Sequence, residues 1–147
     1  MGLSPALGRG PVGVDAAVVI YYVEVHPEFV RFADPIFDAA REGERELVTS
    51  SLTLLEVLVK PYRAENDGLA WRFETVFTQS PGLTLVDIDR DPIRTAARLR
   101  AGHGVRTPDA LQLAAALSAG CSAFVTNDRK IPSVAGLPVV QLPDATI

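Results

Sequence analysis

Cysteine, histidine and long apolar runs are what this sequence has least of. The one cysteine, Cys121, has no partner for an internal disulfide, and two histidines in the whole chain leave a zinc site short of ligands. Between Gly120 and Ser122 it reads as a small buried core residue. No apolar run reaches the ~18–20 residues of a membrane span. The opening MGLSPALGRG has neither the charged start nor the long apolar stretch of a signal peptide, so the expected location is the cytoplasm. Excess positive charge is missing too. A formal net charge of −4 argues against broad, non-specific coating of nucleic acid, which rests on many Lys and Arg contacts to phosphate. No repeat, low-complexity tract or linker divides the chain.

What is present is a balance suited to burial. A chain of 147 residues, 48% hydrophobic and 22% charged, is too apolar for disorder and long enough to bury a core without staples. Residues 1–10 read as a flexible N-terminal extension and 11–147 as one domain. PVGVD (11–15) reads as a first strand, followed without a turn by a helix that His26-Pro27 ends. Residues 28–42 carry apolar side chains at helical spacing and stop at Gly43. ELVTSS is a second strand, and Ser50 or Ser51 opens the helix that follows it. The breaker Asn66-Asp67-Gly68 sets off a further helix. LTLVDID (83–89) is a third strand, followed by a basic helix closed by Gly102 and Gly104. Thr107-Pro108-Asp109 supplies a capping hydroxyl, an early proline and a first-turn acid to a helix apolar nearly all round. SAFVTND and LPVVQL complete the strands. Strands alternating with helices predict an α/β fold with a mostly parallel sheet covered on both faces.

In open parallel sheets functional groups gather at the carboxyl ends of strands and at the helix starts beside them. That rule selects four acids. Asp15 ends the first strand, Glu56 lies early in the helix after the second, Asp109 opens the apolar helix, and Asp128 ends the fourth strand. Each has a simpler role as helix cap, dipole partner or turn former. Glu56, flanked by Leu52, Leu55 and Val59, is expected on a face too apolar to be solvated, where a carboxylate needs a cation. A hard divalent ion satisfies several carboxylates at once. Mg²⁺ suits oxygen ligands while keeping several waters, and Mn²⁺ is the natural substitute.

VDAAVVIYYVE, SSLTLLEVLVKPYR, RTPDALQLAAAL and VTNDRKI together resemble the successive acidic motifs of the PIN-domain family, in particular the VapC-type toxins of bacterial toxin–antitoxin pairs. The resemblance spans about residues 12–142. It implies a three-layer α/β/α fold and a metal-dependent endoribonuclease held inactive by a cognate antitoxin. Asp15, Glu56, Asp109 and Asp128 would be its acidic quartet. Two positions depart from the pattern. Ala16-Ala17 stand where many relatives carry Ser or Thr, and Gln112 where toxin relatives often carry His.

On this reading Asp15 and Asp109 are the expected direct metal ligands and Asp128 completes the set, while Glu56 orients or deprotonates the attacking water. Arginines are concentrated between Arg90 and Arg106, with Asp91 the one acid before Asp109. Arg94 and Arg98, spaced i,i+4, are candidate RNA phosphate contacts, as are Arg129 and Lys130. The aromatic and aliphatic side chains of VVIYYV and FVRFADPIF suggest a homodimer and an antitoxin groove as well as core. Two rival readings remain: a PIN-like RNA-binding module without catalysis, and a phosphoacceptor receiver domain. The receiver requires a central strand-end aspartate, for which Asp87 and Asp89 are candidates, and a lysine at a late strand end that no strand here supplies.

Overall fold

The apolar, β-branched stretches expected as strands form one five-stranded sheet in the computed structural model, which describes residues 2–134 and 136–147; Met1 and Ala135 lie outside them. The strands are β1 (Val12–Val14), β2 (Leu47–Ser50), β3 (Leu83–Val86), β4 (Ala123–Thr126) and β5 (Val139–Gln141). They run in the order β3-β2-β1-β4-β5, and all four pairings are parallel. Six α-helices connect them: α1 (Ala16–Val23), α2 (Val30–Arg41), α3 (Ser51–Arg63), α4 (Asp67–Gln79), α5 (Arg90–His103) and α6 (Thr107–Ser118).

The period-two alternation of a strand divides the core in two. Val12 and Val14 of β1, Leu47 of β2 and Ala123 and Val125 of β4 face a layer built by Val18, Ile36, Phe37, Val57, Phe73 and Phe77 of α1 to α4. Val48 and Phe124 face the opposite way, onto Ala96, Leu99, Ala110 and Leu113 of α5 and α6. The result is a three-layer α/β/α arrangement. Gly13 sits where β1 passes under α6: a Cβ there would lie 2.8 Å from Phe124 Cδ1 and 3.0 Å from Ala116 Cβ. Only a residue without a side chain lets β1, β4 and α6 close up. Cys121 is buried and free, as its neighbours suggest, and burial pushes its thiol up to about 12.

Strand order reverses direction at β1, with β2 and β3 to one side and β4 and β5 to the other. Such a switch point opens a crevice beyond the carboxyl ends of the strands. The same order excludes the receiver arrangement, in which β1 lies between β2 and β3.

Several local expectations are corrected. The third strand stops at Val86, because Asp89 turns to cap α5 and accepts a hydrogen bond from the Asp91 amide at 3.3 Å. The second helix begins at Val30, after His26 Nδ1 takes the Glu28 and Phe29 amides at 3.1 Å each. Ser50 occupies the cap position of α3, but its hydroxyl is engaged elsewhere. Arg106, not Thr107, precedes the first turn of α6. The extension expected to be flexible over 1–10 is docked in its described residues, 2–10: Leu7 is fully buried, Ser122 Oγ binds the Gly10 amide and the Leu7 carbonyl, and Arg45 donates to the carbonyls of Gly8 and Gly10 at 2.8 Å. Among the described residues no helix is long and apolar enough to cross a membrane.

Candidate metal centre

β1 ends at Val14 and α1 starts at Ala16, so Asp15 stands at the switch point between them. Its extended backbone lets Oδ1 accept the Val18 amide at 3.3 Å as a helix cap, and its own amide donates to the Val125 carbonyl of β4 at 3.3 Å. The cap role expected of this residue is therefore real. It is not the whole account, since the carboxylate is buried and has no cationic partner among the described residues. Burial raises its pKa from 3.8 to about 6, opposed by the hydrogen bonds from Thr126 and Val18, with the Glu56 charge adding to the rise.

Asp15, Ala16, Ala17, Glu56, Arg106, Asp109, Gln112, Asp128 and Ile131 line one cleft of about 210 Å³. The four acids expected from sequence thus converge, delivered by the end of β1, the second turn of α3, the first turn of α6 and the loop after β4. Asp109 is 15% exposed and bonded at 3.1 Å to Arg106 Nε, one turn before it. Asp128 does serve as a turn former, Oδ1 accepting the Lys130 amide at 2.9 Å, while Oδ2 faces Arg106 at 3.9 Å.

Glu56 is placed differently from expectation. α3 leaves a solvated face here, with Leu55 60% and Val59 43% exposed, and Glu56 stands exposed at the rim of the cleft. The error lay in treating a run of apolar residues as a buried face. Desolvation by the cleft wall still raises its pKa; a hydrogen bond from Gln112 opposes this and the charge of Asp109 reinforces it.

Two features of the site escape sequence reading. The first is a buried polar relay centred on Gln112. Ser50 Oγ donates to its Oε1 at 2.9 Å, and its Nε2 donates to Thr53 Oγ1 at 2.6 Å and to Glu56 Oε1 at 3.2 Å. Thr53 and Thr49 bond each other at 2.8 Å, and Thr49 reaches the Val14 carbonyl at 2.9 Å. Among the described residues no buried side-chain nitrogen or oxygen lacks a partner, so the relay is fully satisfied and holds its members in place. The second is Thr126, whose hydroxyl donates to Asp15 Oδ2 and accepts the Asp128 amide at 3.0 Å. The hydroxyl missing at Ala16-Ala17 is thereby supplied to Asp15 from β4. Arg94 and Arg98 are exposed on α5, outside the cleft lining, whereas Lys130 lines an adjoining groove of about 240 Å³ with His103, Arg106 and Asp109.

Among the described residues no three His, Cys, Asp or Glu side chains are gathered into a group that could hold an ion unaided. An ion that keeps most of its waters does not require one, because Mg²⁺ typically uses one or two protein carboxylates. The donor set is all oxygen, and the buried, cation-free Asp15 is the group that most needs a positive charge. The residues fit a hydrated hard cation.

A family model described as "PIN domain" matches residues 12–137. This chain belongs to the PIN domain family. The PIN fold is equally clear in solved structures. VapBC2 from Rickettsia felis, bound to a promoter DNA fragment, superposes with a TM-score of 0.69 at 15% identity over 88% of this chain and 97% of that one. A toxin–antitoxin complex from Klebsiella pneumoniae gives 0.67 at 19% identity over 92% and 99%. VapC20 of Mycobacterium tuberculosis, a toxin cleaving the sarcin–ricin loop, gives 0.66 at 15% identity over 82% and 92%. A search by sequence among curated proteins finds no match.

Proposed function

We propose that this PIN domain is a Mg²⁺-dependent endoribonuclease, with Mn²⁺ as a working substitute, acting in the cytoplasm as the toxin of a toxin–antitoxin pair. The observation that carries the reading is the convergence of Asp15, Glu56, Asp109 and Asp128 on one cleft at the switch point of the sheet. Structural likeness to VapC20, a toxin cleaving the sarcin–ricin loop, and to toxin–antitoxin complexes supports it.

A divalent cation bound there supplies an activated water at neutral pH and charge relief for the phosphoryl oxygens. Asp15 and Asp109, with Asp128, would hold the ion. Thr126 keeps one oxygen of Asp15 engaged and so fixes the direction of the other. Glu56, held by Gln112 Nε2 and raised above the ordinary glutamate range, is the base that orients and deprotonates the attacking water. Lys130 in the adjoining groove, with Arg129 beside it, contacts the RNA backbone, and Arg94 and Arg98 provide a more distant positive surface.

Partner binding draws on apolar side chains that the core does not use. VVIYYV and FVRFADPIF are largely consumed internally, with Tyr22 stacked on Phe37 at 4.0 Å and Tyr21 against Phe29 at 4.9 Å. Val25, Trp71 and Tyr62 remain well exposed on α1, α4 and α3 or just beyond them. They support contacts to an antitoxin and to a second copy of the chain.

Purified protein incubated with structured RNA should cleave it with Mn²⁺ and not with chelator, and Asp109→Asn should abolish both cleavage and growth inhibition while antitoxin binding persists. Metal-independent cleavage would sink the metal-nuclease reading. RNA binding without any cleavage would instead leave the non-catalytic module.

A further inference from the structure

Among the described residues Arg106 is the one cation in the lining of the acidic cleft, and it has no part in the proposed reaction. It occupies the residue before α6, where it makes no capping bond with its side chain. Instead its guanidinium spans two acids from different elements, Asp109 of α6 at 3.1 Å through Nε and Asp128 of the loop after β4 at 3.9 Å through an Nη atom. The side chain is nevertheless 69% exposed. Contacts of this kind, open to water and with one leg long, are weak and readily exchanged.

Its position is also shared between two spaces. Arg106 lines both the acidic cleft and the adjoining groove that contains Lys130 and His103. A change of side-chain torsions alone therefore carries the guanidinium from the carboxylates into the groove, with the backbone unmoved. Guanidinium is suited to both places, since its planar fork matches carboxylate and phosphate equally well.

We propose that Arg106 is a substrate-binding residue of this site: an exchangeable arm that neutralises Asp109 and Asp128 when no ion is bound and takes an RNA phosphate in the groove when an ion replaces it. The inference rests on the nuclease reading, and it adds a competition that reading does not contain. Cation and arginine want the same two carboxylates. Binding of the ion therefore releases the arm, and occupation of the arm by phosphate opens the carboxylates to the ion, so that metal and RNA strengthen each other.

Arg106→Gln in the full chain tests both halves, with Arg41→Gln as the control for lost charge. Arg41 makes a matching pair with Asp38 one turn away, at the end of α2 that leads into the amino end of β2, opposite the cleft. By titration calorimetry with Mn²⁺ and no RNA, R106Q should bind the ion about two- to fivefold more tightly than wild type, the scale of losing one exposed ion-pair competitor. R41Q should match wild type. By fluorescence anisotropy with a short labelled single-stranded RNA at saturating Mn²⁺, read before cleavage accumulates, R106Q should bind more weakly, with a salt slope shallower by about 0.7, that of one phosphate contact. Wild type that binds no Mn²⁺ would overturn the metal site and the arm together. Wild type that binds Mn²⁺ as tightly as R106Q, or R106Q that keeps the wild-type RNA salt slope, would overturn the arm alone.

Discussion

Asp15→Asn separates a carboxylate that merely caps a helix from one held in electrostatic deficit. In the folded chain Asp15 keeps its proton up to about pH 6, against an ordinary value of 3.8, because burial disfavours its charge. Between those two values the native state binds more protons than the unfolded one. Stability of the ion-free protein therefore falls as pH rises from about 4 to about 6 and stays low above that. Each tenfold in proton affinity is about 1.4 kcal/mol, so the burden at pH 7 is on the order of 3 kcal/mol. Asparagine removes the charge at nearly constant shape. It keeps an oxygen for the Val18 amide but presents an NH₂ to Thr126, whose hydroxyl must then find another acceptor at a cost of about 1–2 kcal/mol. The net expectation at pH 7 is a gain of roughly 1–2 kcal/mol, or about 3–6 °C in melting temperature for a chain of this size. Near pH 4, where wild type is protonated and only the Thr126 cost remains, the variant should be the less stable. The two melting curves plotted against pH should cross, and millimolar Mn²⁺ should stabilise wild type far more than the variant. Curves that run parallel from pH 4 to 7, with the variant below throughout, would refute the reasoning and return Asp15 to the role of a cap.

The relay and the sheet make their own demands. Gln112→Leu leaves the buried Ser50 and Thr53 hydroxyls short of a partner and should cost about 2–4 kcal/mol in urea denaturation, and, since the Gln112 hydrogen bond holds the Glu56 carboxylate down, the Glu56 titration followed by NMR should move further to alkaline pH. Gly13→Ala drives a Cβ into Phe124 and Ala116 and should lower stability by about 1–3 kcal/mol without changing Mn²⁺ affinity per folded molecule.

Much of the architecture was legible in the sequence because it rests on short-range signals. The short runs LVTS and AFVT, without alternation, mark strands buried on both faces, and the strand-end rule then points to Asp15 and Asp128 without reference to any contact. The Thr107-Pro108-Asp109 start marks α6 to within one residue. What was not legible depends on partners far apart in the chain. Arg106 is an ordinary basic residue until the loop after β4 brings Asp128 beside it. Gln112 is an unremarkable polar residue in an apolar helix until α6 packs over β2 and α3 and its amide meets Ser50, Thr53 and Glu56. Leu55 and Val59 mislead for the opposite reason, since apolar composition cannot say which face of α3 the sheet will cover. The docked residues 2–10 are likewise held by Ser122 and Arg45, which no local pattern pairs with them.

The pairing of Val14 with Val125 has a consequence for the order of events on the ribosome. β1 leaves the exit tunnel before its neighbour β4, which follows more than a hundred residues later, and the Thr126 hydroxyl that steadies Asp15 is 111 positions downstream of it. Until that stretch emerges, Asp15 lacks its backbone acceptor and its hydroxyl partner, and Asp128 does not yet exist. A growing chain therefore carries acids but no assembled centre, and competence arrives abruptly when the pairing of β1 with β4 closes. On the proposed function, a nuclease is thus kept harmless toward its own message and ribosome until β4 has emerged, by nothing more than where in the chain the middle strands of its sheet are encoded.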